Sequence, residues 1–232
     1  MQFLKDEKYY SFAKSELIKL LPSANGRFLE IGCGEGATLE YVKALGASYT
    51  AGVDISADAI AVASRRGLDV ALAADVEKDA LPFLEKEFDC VIVADVLEHL
   101  VNPWDTLKRL VSYVKDDGHV LLSVPNVRYY RVLRDLILHG AWTYSDSGIL
   151  DSTHLRFFTL KEIQKLLEHA GLDMLKLDWK IHAGRAAKAV NAFFVDSLRS
   201  FLIFQYHILA KKRTQHTTHN SEASCKDTGL LS

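Results

Sequence analysis

The chain has little cysteine, no excess of either charge and no long apolar run, and each shortage narrows what it can be. Its 232 residues contain three cysteines, Cys33, Cys90 and Cys225, an odd number spread far apart. That spacing offers no disulfide framework, and the first two lie in apolar strand-like runs where a free thiol acts as a small hydrophobe. The chain reads as a reduced, cytosolic protein. Lysine and arginine number 28 against 30 aspartates and glutamates, a formal net charge of −2. Such a balance lacks the basic footprint of a nucleic-acid or membrane-surface binder. No stretch nears the roughly 18 apolar residues that a membrane span needs. The opening MQFLKDEKYYSFAKSE mixes both signs of charge and has no apolar core, so it does not read as a secretory signal. Internal repeats are missing too. What is left is a soluble chain, 49% hydrophobic, able to fill one core and suited to a small-molecule partner.

Short β-rich runs alternate with helical patterns through the first half. RFLEI (27–31), YTAGVDI (49–55), DVALAAD (69–75), FDCVIVADV (88–96) and GHVLLSV (118–124) are separated by helices expected from about Ala37, Ser56 and Pro103. This rhythm predicts βαβ units and a parallel sheet. The runs at 91–94 and 120–124 are apolar on both strand faces, as central strands covered by helices on each side should be. From Asn126 to Thr153 the rhythm breaks. There NVRYYRVLRDLILHGAW, an amphipathic helical pattern, runs into the polar loop TYSDSGILDST. An insertion after a central strand falls where open α/β sheets bind ligands. TLKEIQKLLEHAG (159–171) predicts another helix, and LDMLKLDWKI and FLIFQYHILAKK predict a closing antiparallel pair. Residues 214–232 are polar and without periodicity, and are expected to be a disordered tail behind a single domain.

FLEIGCGEGATLEYV, residues 28–42, spaces Gly32, Gly34 and Gly36 between a strand-like run and a helix-like one. Glycine there permits a sharp turn and close approach to a ligand. Gly32, Gly34 and Ala37 also satisfy G-x-G-x-x-A, with Asp54 at a distance suited to a ribose, which would suggest a dinucleotide. Glu30 and Glu35 oppose that reading, because a pyrophosphate placed between two carboxylates is repelled. A cofactor with a cationic centre suits them better.

With LEIGCGEG, GVDIS, Asp75-Val76 and DVLEHL placed after successive strands, the sequence resembles the class I S-adenosylmethionine-dependent methyltransferases over roughly residues 9–212. The resemblance implies a Rossmann-like, seven-stranded, mostly parallel sheet with helices on both faces and the last strand antiparallel, with residues 126–153 as a substrate-side lid. It implies that Glu30 orders the loop and the cofactor's amino group, while Gly32, Gly34 and Gly36 admit the methionine end. Cys33 belongs to the same loop, its side chain reading as packing. Asp54 would hold both ribose hydroxyls and Ile55 would lie on the adenine. Asp75 and Val76 would take the adenine amino group, Asp95 would stand near the methyl group, and Val96 and Leu97 would line the cofactor. Tyr10, with Tyr9 beside it, would cover the site. Taken singly, Asp54 and Asp75 could equally be caps of the helices that follow. S-adenosylhomocysteine would be the product.

SVPNVRYY and LDSTHLRFFTLKEI resemble methyltransferases of bacterial polysaccharide and lipopolysaccharide biosynthesis, which implies a sugar, nucleotide-sugar or glycan hydroxyl as acceptor. A phenol or quinone-like small molecule is the alternative. A hydroxyl acceptor must lose a proton, and His154 and His99 are the candidate bases; either could instead anchor its loop. Tyr129, Tyr130, Arg131, Trp142 and Tyr144 could stack on a sugar or bury the inserted helix. Asp95, Glu98, His99 and His154 are metal-ligand types and resemble the E-x-x-E-H and distant His of certain RNA 2'-O-methyltransferases. Asp95 replaces the first Glu there and no basic stripe is present, so no metal is expected. Two further readings stay open: a non-catalytic cofactor-binding partner of a biosynthetic complex, and a nicotinamide-dependent oxidoreductase. Nothing in the sequence fixes an oligomeric state.

Overall fold

A computed structural model describes residues 13–181 and 199–213. A short helix α1 (Ser15–Ile18) leads into β1 (Gly26–Ile31), α2 (Ala37–Ala44), β2 (Ala47–Asp54), α3 (Ala57–Arg65) and β3 (Val70–Ala73). The second half runs β4 (Phe88–Ala94), a 3-10 turn (Leu97–His99), α4 (Pro103–Ser112), β5 (Val114–Pro125), α5 (Tyr130–His139) and α6 (Leu160–His169). It closes with β6 (Leu172–Ile181), α7 (Arg199–Leu202) and β7 (Ile203–Lys212). The expected tail and Tyr10 lie outside the described residues.

The seven strands form one sheet in the order β3-β2-β1-β4-β5-β7-β6. The pairs from β3 to β5 are parallel, while β7 runs antiparallel between β5 and β6. The architecture is therefore the one the sequence predicts, including the reversed last strand. Period-two alternation sorts the central strands onto two apolar layers. Phe28, Cys90, Ile92 and Leu121 face a layer filled by Leu17 and Ile18 of α1, Leu39 and Val42 of α2, and Ile60 of α3. Leu29, Ile31, Val91, Val93 and Leu122 face the other, filled by Leu107 and Leu110 of α4 and Ile163 and Leu166 of α6. Helix starts follow capping chemistry: Ser56, Asn102 and Thr159 each accept a backbone N–H of the first turn through their side chains.

The order of connection reverses between β1 and β4, so helices leave these neighbouring strands toward opposite faces. A crevice opens at their carboxyl ends. The insertion after β5 is pinned beside it by Asn126, which is fully buried and donates through Nδ2 to the carbonyls of Ser200 and Ile203, both at 2.8 Å. Tyr129, Val132 and Ile149 close a small core beneath α5, and Trp142 packs edge-on against Phe157. The aromatic residues of the insertion thus divide: Tyr129 is interior, whereas Tyr144 and Arg131 face solvent.

Removing the Asn126 side chain takes its donors from the buried Ile203 carbonyl and the half-buried Ser200 carbonyl. Asn126→Ala is expected to lower unfolding stability by roughly 2–4 kcal/mol, read as a shifted urea midpoint at unchanged slope; a loss under about 0.5 kcal/mol, the range of ordinary surface changes, would show the clamp to be dispensable.

Candidate active site

Gly32 turns the chain out of β1 at φ 68°, and a Cβ there would meet Val96 Cγ2 at 2.4 Å. Only glycine lets the loop after β1 close against the loop after β4. Gly32 and Cys33 donate their N–H groups to the Val53 carbonyl, and Gly34 donates to Asp54 Oδ2 at 2.8 Å. The glycine turn is thereby tied to the end of β2. The other Asp54 oxygen accepts the Ser56 N–H at 2.9 Å. Each oxygen keeps a lone pair for a ribose hydroxyl, so Asp54 organises the loop and still faces the crevice.

The crevice is a cavity of about 450 Å³. Its wall carries Glu30, Gly32, Cys33, Gly34, Asp54, Ile55, Asp75, Val76 and Asp95, as expected from the sequence. Ile55 is 74% exposed, an apolar side chain on the cavity lining. Asp75 Oδ1 accepts the Glu77 N–H at 2.9 Å, and Lys78 donates to its other oxygen, holding its carboxyl below the ordinary range.

Three expected residues stand off this wall. Gly36, at φ 80°, starts α2, and a Cβ there would press on Ala63 and Leu68 at 3.1 Å. It is glycine for packing against α3. Leu97 is buried in the apolar layer, because the 3-10 turn points it inward. His154 is buried behind His99, their rings edge to face at 4.7 Å. Glu35 also turns away, to Arg66 at 3.5 Å. The repulsion that disfavours a pyrophosphate comes from Asp54 and Asp95 instead.

Glu30 is 2% exposed, and its Oε2 has no hydrogen-bond partner although it borders the cavity. Burial pushes its carboxyl up to about 8, against the pull of the Lys14 ammonium and the Thr38 hydroxyl. A cationic ligand would complete this group. Asp95 sits at φ 58°, a left-handed conformation that costs a non-glycine residue on the order of 1 kcal/mol or more. Three donors hold it there: Lys14, Ser123 at 2.6 Å and Gln205 of β7. Burial alone would raise its carboxyl, but the Lys14 ammonium reverses this and holds it below the ordinary range. In all, the wall shows five carboxylates against one lysine among the described residues.

The sequence of the chain matches the family described as "Methyltransferase domain" over residues 6–177. The chain belongs to that family. Membership makes it a methyltransferase domain, and the sulfonium and ammonium of S-adenosylmethionine would suit the anionic wall and the unpartnered Glu30 oxygen. Ubiquinone biosynthesis O-methyltransferases of Cupriavidus pinatubonensis and Burkholderia pseudomallei are 29% identical over 160 and 157 residues, covering 66% and 65% of this chain. The matches span 63% and 66% of those relatives, just under two thirds of their length. Among solved structures, an S-adenosylmethionine-dependent methyltransferase from Archaeoglobus fulgidus superposes with a TM-score of 0.65 at 22% identity, covering 89% of this chain and 95% of that one. The [4+2]-cyclase SpnF superposes at 0.62 and 17% identity over 90% of this chain and 82% of its own. The fold alone therefore does not fix the reaction.

The methyltransferase domain also brings His99 to the wall, together with Thr153. Thr153 gives its hydroxyl proton to Asp151 Oδ1 at 2.6 Å, so its oxygen and its carbonyl accept from His99 Nδ1 at 3.0 and 3.2 Å. His99 Nδ1 is thus the protonated nitrogen and Nε2 the basic one. The N–H groups of Leu155 and Arg156 bind the Glu98 carbonyl, which locks the DSTH segment onto the 3-10 turn. Glu98, His99 and His154 offer ligand atoms within 4.8 Å of one another, an arrangement able to hold a divalent cation or a shared proton. Asp95, the fourth residue of that set in the sequence, is drawn off by Lys14, Ser123 and Gln205.

Several wall residues carry no sequence signal of their own. Lys14 and Glu77 look like ordinary surface charges, and Thr38 like an ordinary helix residue. Thr153 could have been found as the neighbour of His154.

Glu30 supplies a pH signature. Folding holds its proton up to about pH 8, whereas the unfolded chain releases it near the ordinary 4.5. Its contribution to stability is thus full below the lower value and is lost as pH rises through the higher one. Cofactor binding at pH 7 should expel that proton. Calorimetry in buffers of different ionisation enthalpy should show up to one proton released on binding by the native chain and none by Glu30→Gln; equal release by both would remove Glu30 from the cation site.

Proposed function

We propose that the protein methylates a hydroxyl oxygen of a small phenol or quinone-like acceptor, with S-adenosylmethionine as donor. The observation that carries this reading is His99, an imidazole on the cavity wall with its Nδ1–H committed to Thr153. The names of the curated relatives, ubiquinone biosynthesis O-methyltransferases, favour an aromatic hydroxyl over the glycan hydroxyl expected from the sequence.

S-adenosylmethionine supplies a methyl group on a good leaving group, so positioning accounts for much of the rate. The chain's own residues then have two tasks. Glu30, Asp54, Asp75 and Asp95 hold the cationic and adenosine parts at the strand ends. His99 Nε2 takes the proton of the attacking hydroxyl as the new carbon–oxygen bond forms, and Thr153 with Asp151 keeps the imidazole turned. A phenol, with a pKa of about 10, is within reach of an imidazole base; a sugar hydroxyl is far less acidic. His154 supports the turn from behind.

A second reading has its own observation. His154 donates Nδ1–H to the Ile149 carbonyl at 2.9 Å, and its Nε2 lies 4.0 Å from Glu98 Oε1. A divalent cation held by Glu98, His99 and His154 could itself acidify the acceptor hydroxyl.

Production of S-adenosylhomocysteine, followed with dihydroxybenzenes and nucleotide sugars as acceptors, tests the substrate class. Turnover confined to sugars would overturn the phenolic reading. His99→Ala should lower kcat by about 10²-fold or more, with the loss shrinking as pH rises and the phenol ionises unaided. A kcat within twofold of native would dismiss the base. Turnover that survives exhaustive chelation leaves His99 as base; turnover abolished by chelation and restored by a divalent salt assigns Glu98, His99 and His154 to the cation.

A further inference from the structure

We infer that Lys14 changes partner when the cofactor binds, leaving Asp95 for the terminal carboxylate of the cofactor's amino-acid end. The cavity poses a charge problem that the methyl donor only partly solves. Its sulfonium and ammonium meet the five carboxylates of the wall, but its own carboxylate meets the same five. Lys14 is the only lysine or arginine on that wall among the described residues.

The ammonium of Lys14 now lies against Asp95, with Glu30 and Glu98 adding to its attraction. That is where an incoming ammonium or sulfonium is drawn, and two cations cannot share the place. The lysine is built to swing without releasing the chain. Its backbone N–H is bound to Thr38 Oγ1 at 3.2 Å, and Leu17 and Ile18 just after it are buried under the sheet. Its side chain is 38% exposed and hinges on a flexible four-carbon stem. Displaced by one cation, the Lys14 ammonium gains the only anion that arrives with it. The ammonium and carboxylate of the incoming amino-acid end cancel in the exchange, the sulfonium is the one uncompensated charge added, and α1 becomes part of the loaded pocket. This rests on the cofactor and is independent of the acceptor.

Calorimetric titration of the full chain, Lys14→Met and Lys14→Arg with four probes tests the exchange. The probes are S-adenosylmethionine, S-adenosylhomocysteine, decarboxylated S-adenosylmethionine, which keeps both cations, and 5'-methylthioadenosine, which lacks the amino-acid end. Lys14→Met should weaken the two carboxylate-bearing probes by roughly tenfold to a hundredfold and leave the other two within about twofold, with Lys14→Arg recovering most of the loss. An equal loss for all four would make Lys14 a scaffold residue. Tighter binding of S-adenosylmethionine by Lys14→Met would make it a mere occupant of the cation site. Either result overturns the exchange. A native chain that binds none of the four overturns the cofactor assignment, and the exchange with it.

Discussion

Everything at this site depends on carboxylates gathered where water is scarce. Glu30, Asp54 and Asp95 stand at the carboxyl ends of β1, β2 and β4, three strands of one parallel sheet, so their positions are set by backbone register. Repulsion among them is tolerated because each is answered differently. Asp54 is neutralised by backbone N–H groups, Asp95 by a lysine and two neutral donors, and Glu30 by keeping its proton. The pocket is in this sense incomplete until a cation enters, a demand set by burial more than by shape.

The strain at Asp95 belongs to the same economy of space. A left-handed residue at the end of a central strand turns its side chain back across the crevice, and the donors from α1, β5 and β7 hold it there. The histidine cluster is assembled separately, from the 3-10 turn after β4 and the DSTH segment that folds onto it. Two nearly independent constructions therefore meet at Val96 and His99: an anionic cradle made by the sheet, and a histidine cluster made by loops. Loops vary more readily than strand ends, which is why one fold serves many acceptors.

The sheet and the cofactor loop were legible because their signals are local. Apolar runs such as CVIVA mark strands buried on both faces, and a glycine with positive φ beside an acidic strand end marks a turn that faces a ligand. The reversed last strand and the acidic positions came through family resemblance. What escaped was relational. Gly36 looks like Gly32 in sequence, yet its missing side chain makes room for Ala63 of α3 and for Leu68. His99 and His154 differ only in which one the DSTH segment leaves at the wall, a matter settled by two N–H bonds to the Glu98 carbonyl. Lys14 had no pattern at all, since its role arises only when α1 packs beside β4's end.

The position of β7 carries a consequence for how the molecule comes into being. Because β7 lies between β5 and β6, β6 has no neighbour to pair with while the chain is being synthesised, and must wait as an unsatisfied edge until a later segment slots in beside it. That same late segment delivers Gln205 to Asp95. A nascent chain that has made six strands therefore holds an unfinished sheet together with an Asp95 short of one of its three donors. The last strand closes both gaps at once.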